Sequence, residues 1–150
     1  MQIDFDPTLV TYDDLLAVFW ASHAPREAPR SRQYASMIFA DGELQLRTAG
    51  ESKEMIERVL GPVVTRVVPL ARFYLAEDYH QKYRLRGTPD LARAFKAMYP
   101  DEADLRESTA AARVNGYLYG YGDARELESE IAAFGLSPEE AELLRRLSVR

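Results

Sequence analysis

Five side chains in two short blocks have the chemistry to hold a small polar oxygen beside an apolar group. The blocks are RQYASMIF, Arg32 to Phe39, and FYLAEDYHQKY, Phe73 to Tyr83; the side chains are Tyr34, Tyr74, Tyr79, His80 and Tyr83. Phenol hydroxyls would donate hydrogen bonds to the oxygen while ring faces receive the apolar part of the ligand. The plainer alternative is an aromatic core whose polar tips are satisfied locally, and spacing alone favours it. His80 with Glu77 or Asp78 could also serve a hydrolase, yet no nucleophile elbow or oriented serine accompanies them.

Composition narrows the chemistry further. With no cysteine in 150 residues, disulfides, thiolate metal ligands and thiol nucleophiles are excluded from this polypeptide. The two histidines, His23 and His80, are far apart and read as structural rather than metal-ligating, so no metal or other cofactor is expected. The net charge of -5 is concentrated between Asp101 and Glu130, which hold eight acids and three Arg. Nucleic acid is therefore not an expected partner. The one basic cluster, Arg26 to Arg32, contains Pro29 and reads as a solvated loop.

No run approaches the roughly 18 apolar residues of a spanning helix, and Met1 to Pro7 carries two Asp and no basic residue. Neither a membrane partner nor a signal peptide is expected, and the cytoplasm is the default location. Apolar residues at 47% and charged residues at 29% fit a globular chain of one-domain size.

The elements that must position these residues follow from periodicity. Gln2 to Phe5 alternates like a short strand. Thr11 and Asp14 form a capping-box pattern ahead of a helix over 12–22, stopped by Pro25. Residues 24–33 read as a surface loop and Tyr34 to Phe39 as a buried strand closed by Asp41-Gly42. A helix over 43–60 ends at Gly61-Pro62, and Val63 to Val68 is a β-branched strand. Thr88-Pro89 opens a short helix running to about Met98. Beyond Pro100 the chain is acidic and Ala-rich, with helices expected over 102–115, 123–134 and 138–148. The stretch NGYLYGYG, Asn115 to Gly122, suits close helix packing or a turn.

Read in order, these motifs resemble the A-type peptide methionine sulfoxide reductases. The likeness lies in an expected strand ending in Asp6-Pro7, VTYDDLLAVFWASHAP from Val10 to Pro25, QYASMIF, and VVTRVVPLARFYLAEDYHQKY from Val63 to Tyr83. It covers about residues 3–83, and its most specific part is the AEDYHQKY block. The resemblance implies an α+β fold, a two-layer α/β sandwich of the methionine sulfoxide reductase A type with an incomplete sheet and a C-terminal helical extension. The expected division is residues 1–100 for the reductase-like part and 101–150 for the extension. It further implies a substrate of methionine sulfoxide in peptides or proteins, with Tyr34 holding the sulfoxide oxygen and His80 and Tyr83 near it.

The departures from the family pattern shape the functional expectation. The family places its nucleophile in a Gly-Cys-Phe-Trp motif and an acid in a His-Ala-Glu segment, both preceding the stretch matched here, and neither occurs in this sequence. The family's Asp five residues before the strand Tyr corresponds to Pro29 here, and His23-Ala24-Pro25 lacks the family's Asp. These 150 residues are therefore expected to be incomplete or catalytically inactive, as a fragment, a diverged relative or one subunit of a split assembly. Two non-catalytic roles accompany that expectation: a binding module for methionine sulfoxide peptides, or an interaction domain working through the acidic tail. An incomplete sheet would expose unpaired backbone and an apolar face, so a homo-oligomer is expected.

Overall fold

The first helix, α1 (Tyr12–Ala21), begins where the Thr11 hydroxyl accepts the Asp14 N–H at 3.1 Å and the Asp14 carboxylate accepts the Thr11 N–H at 2.9 Å. That capping box satisfies donors that the first helical turn leaves open. The computed structural model describes residues 1–148. The chain forms two units, one spanning Met1–Phe73 and one beginning at Tyr74.

In the first unit, strand β1 (Met37–Ala40), helix α2 (Gly42–Leu60) and strand β2 (Arg66–Pro69) make a parallel crossover. The register pairs Met37 with Arg66 and Ala40 with Pro69. Along β1, Ile38 and Ala40 are buried while Phe39 between them is exposed, so one face of the two-stranded sheet meets the helices. Leu16 and Trp20 of α1, Ile38, Ala49 of α2 and Val63 form the core. The buried Trp20 indole N–H donates to Ser52 Oγ at 2.7 Å, pinning α1 to α2 without leaving a buried donor open.

In the second unit the order is α3 (Tyr83–Arg86), α4 (Pro89–Met98), α5 (Glu102–Glu107), α6 (Thr109–Leu118), α7 (Ala124–Glu130) and α8 (Pro138–Ser148). One core joins Leu85, Leu91 and Phe95 to Leu105, Val114, Tyr117, Leu127, Phe134 and Leu144. It runs across residue 100, so α4 shares its apolar face with the tail helices. The architecture is α+β, with a small parallel sheet and a helical C-terminal part.

Several expected boundaries shift. Gln2 to Phe5 forms no strand; an alternating segment becomes one only where a neighbour pairs its backbone, and none does among the described residues. Tyr34 lies not in a strand but in a 3₁₀ turn, Arg32–Tyr34, whose N–H groups bond back within the loop, so β1 starts at Met37. Val63 to Thr65 also stay outside the sheet, with the Val64 N–H donated to the Pro25 carbonyl at 2.8 Å. The helix expected over 102–115 is two: Ser108 is extended, and its hydroxyl accepts the Ala111 N–H to start α6, which then runs on to Leu118. The helix expected over 123–134 ends at Glu130 and tightens into a 3₁₀ turn, Ile131–Phe134. Gly135 closes that turn at φ 70°, where a Cβ would stand 2.9 Å from the Met98 sulfur.

Charge ties the short helices of this unit together. Glu102, first residue of α5, accepts from Lys96 Nζ of α4 at 2.7 Å and pairs with the Arg86 guanidinium of α3. The hydrogen bonds from Lys96 and Arg86 hold its carboxyl down to about 2. A carboxyl whose pKa is lower folded than unfolded stabilises the fold above its unfolded value of 4.5 and loses that contribution as pH falls toward 2. Glu102→Gln should thus unfold at lower denaturant than the parent at pH 6, with the gap closing toward pH 2. Equal midpoints for the two proteins at pH 6 would show that Glu102 contributes nothing.

Candidate functional site

The first unit carries a cavity of about 280 Å³ between the end of α1, the loop after it and the residues leading into β1 and β2. Its lining includes His23, Glu27, Arg30, Tyr34, Ser36 and Thr65. His23 is fixed at its inner side. The Nδ1 atom lies 2.8 Å from the Phe19 carbonyl, which can only accept, so Nδ1 carries the proton. Nε2, 2.9 Å from Thr65 Oγ1, then accepts the hydroxyl of a threonine that is 1% exposed. The ring also stacks on Trp20 and tilts against Phe19. His23 is therefore a wall of the cavity with both nitrogens hydrogen-bonded.

Tyr34 lines the same cavity and is 73% exposed. It ends the 3₁₀ turn Arg32–Tyr34, ahead of β1. A phenol so placed can donate to an oxygen entering the cavity, while Ala28, Pro29 and Ala35 offer an apolar surface to a methyl group.

The AEDYHQKY block belongs to the second unit. Tyr79 and His80 lie in a 3₁₀ turn, Asp78–His80, with ring centroids 4.2 Å apart, and His80 Nε2 is 3.9 Å from a Glu77 carboxylate oxygen. Tyr83 opens α3 and is exposed. Before it, Lys82 turns the chain at φ 51°, the left-handed region that costs a side-chain-bearing residue roughly 1 kcal/mol. Burial lowers the Lys82 ammonium below its usual range, opposed by Glu107. Asn115 holds the strained start in place: its Oδ1 accepts the N–H groups of Arg84 at 3.0 Å and Leu85 at 3.2 Å.

Of the residues proposed from sequence, the structure brings Tyr79 and His80 together, places Tyr83 three residues on, and sets Tyr34 in the other unit. Sequence reading did not find Glu27, Arg30, Ser36 and Thr65 as cavity residues. The signal available was the His23-Ala24-Pro25 stop of α1 leading into a loop rich in Arg and Pro, which alone reads as a solvated loop. Among the described residues no three His, Asp or Glu side chains gather to hold a metal, and no helix is long and apolar enough to cross a membrane.

Comparison with known proteins gives two family matches. Residues 1–112 match the model of the peptide methionine sulfoxide reductases, and residues 100–147 that of the helical domain of selenoprotein methionine sulfoxide reductase A. A peptide methionine sulfoxide reductase of Drosophila melanogaster is 38% identical over 141 residues, which are 92% of this chain and 56% of the relative. The peptide methionine sulfoxide reductase A5 of Oryza sativa subsp. japonica is 39% identical over 124 residues, 78% of this chain and 48% of the relative. A peptide methionine sulfoxide reductase of Methanosarcina acetivorans is 44% identical over 91 residues, 55% of this chain and 48% of the relative. The chain spans about half the length of the curated relatives it matches.

Proposed function

Because the chain belongs to the peptide methionine sulfoxide reductase family, we propose that these 150 residues bind methionine sulfoxide in peptides or proteins without reducing it themselves. The reading is carried by one observation: an exposed Tyr34 lines a cavity in a chain that has no thiol. The sulfoxide oxygen is a strong acceptor that the phenol can serve, and the adjacent methyl group suits the apolar wall. Reduction requires an attacking thiolate, and the chain has none. His80 and Tyr83, in the second unit, are assigned a substrate-binding role on the strength of the family motif that carries them.

The proposal includes a division near residue 100, supported by the helical-domain match that begins there. It also includes cytoplasmic residence and self-association. A two-stranded sheet is marginal alone, and Phe39 on its outer side is 56% exposed, so a second copy would cover it.

Titration with an acetylated methionine sulfoxide peptide, followed by tyrosine chemical shifts, tests the site. Tyr34→Phe removes one hydrogen bond and is expected to weaken binding by about 1 kcal/mol, near fivefold. Binding unchanged by Tyr34→Phe would remove the cavity from the account.

A further inference from the structure

We infer that Lys82 is a nucleophilic amine held by the fold, the lysine of this chain that a small acyl phosphate modifies. The chain has three lysines, Lys53, Lys82 and Lys96. Two have their ammonium groups engaged. Lys96 Nζ donates to the Pro100 carbonyl at 2.8 Å and to the Glu102 carboxylate at 2.7 Å, and Lys53 Nζ lies 3.8 Å from a Glu57 carboxylate oxygen. Lys82 makes no side-chain hydrogen bond or ion pair among the described residues. The carboxylate that acts on it from α5, Glu107, accepts instead from Arg106 Nε at 3.0 Å.

The backbone at Lys82 is held on both sides. Its carbonyl accepts the Arg86 N–H at 2.9 Å, and the Gln81 carbonyl accepts Arg86 Nε at 2.8 Å. A left-handed conformation at a residue with a side chain persists only where the surroundings hold it, so the half-buried side chain leaves the chain from a fixed point. An ammonium that is partly desolvated and has no carboxylate bonded to it releases its proton more readily than the two engaged ones. The free amine then attacks the carbonyl carbon of the acyl phosphate. A C–N bond forms, the C–O bond to phosphate breaks, inorganic phosphate leaves, and the amine proton passes to solvent, with no change of oxidation state. The donor is small enough for a half-buried amine, and it is anionic, which suits a site followed by Arg84 and Arg86 in α3. The resulting amide removes the positive charge one residue before Tyr83.

The test is incubation of the full chain with acetyl phosphate in mildly alkaline buffer, with the rate at each lysine read by peptide mass spectrometry. An exposed ion pair withholds an amine about fivefold, so Lys82 is expected to acetylate about fivefold faster than Lys96, with Lys53 between them. In concentrated urea the three rates should converge, because the fold no longer distinguishes the amines. Lys53 or Lys96 reacting as fast as Lys82 in the folded chain would overturn the proposal. A preference for Lys82 that persists unchanged in urea would also overturn it, since local sequence rather than the folded site would then be its source.

Discussion

Phe95→Ala should lower the stability of the helical unit by about 3–5 kcal/mol, the cost of truncating a fully buried aromatic side chain in a packed core. Phe95 is 0% exposed and sits in α4 among Leu91, Leu105, Val114 and Leu144, with its ring stacked at 6.1 Å on Tyr99. Removing the ring deletes apolar burial and leaves a void that several helices would have to collapse to fill, at once for α4 and the tail. Domains of this size have total stabilities of only about 5–15 kcal/mol, so the variant should lose a large share of its stability. Val59→Ala, at an exposed position of α2, serves as the comparison and should stay within about 0.5 kcal/mol of the parent. Equilibrium unfolding in urea, followed by circular dichroism, measures both. A loss below about 1 kcal/mol for Phe95→Ala would mean that α4 is not built into the core of the tail helices.

Most longer helices were legible in the sequence because they rest on local rules, while α3 and the break at Ser108 were not. The Thr11 capping box, Pro89 at the first turn of α4 and the apolar stripe around Leu127 each satisfy a requirement within a few residues. Strand extents were not legible. Gln2 to Phe5 has the right alternation but no partner, while Tyr34 to Ser36 and Val63 to Thr65 spend their N–H groups elsewhere or stand outside the paired register. The sharing of a core between α4 and the tail depends on contacts tens of residues apart, which periodicity does not encode. At the candidate site Tyr34 was legible through a family motif. Glu27, Arg30 and Thr65 were not, because a Pro-containing loop carries no period and the His23 to Thr65 hydrogen bond spans 42 positions.

The second large effect expected of the proposed reading is an absence of turnover by these 150 residues. Reducing a sulfoxide to a thioether consumes two electrons and two protons and releases the oxygen as water. In the thiol route a thiolate attacks the sulfur, the oxygen passes to a sulfenic acid, and a second thiol closes a disulfide as water leaves. Ser, Thr and Tyr hydroxyls cannot stand in, since an oxygen nucleophile at sulfur yields no intermediate that a thiol reductant returns to the starting enzyme. Binding at Tyr34, as proposed, would align the oxygen, but alignment alone supplies no electrons.

The most direct measurement is therefore turnover by the purified 150-residue chain with an acetylated methionine sulfoxide peptide and dithiothreitol, scored by formation of the thioether. The predicted result is product formation no faster than with dithiothreitol alone, under conditions where the same peptide is bound. Thioether formation proportional to the amount of this chain, co-purifying with it and lost in Tyr34→Phe, would contradict the account.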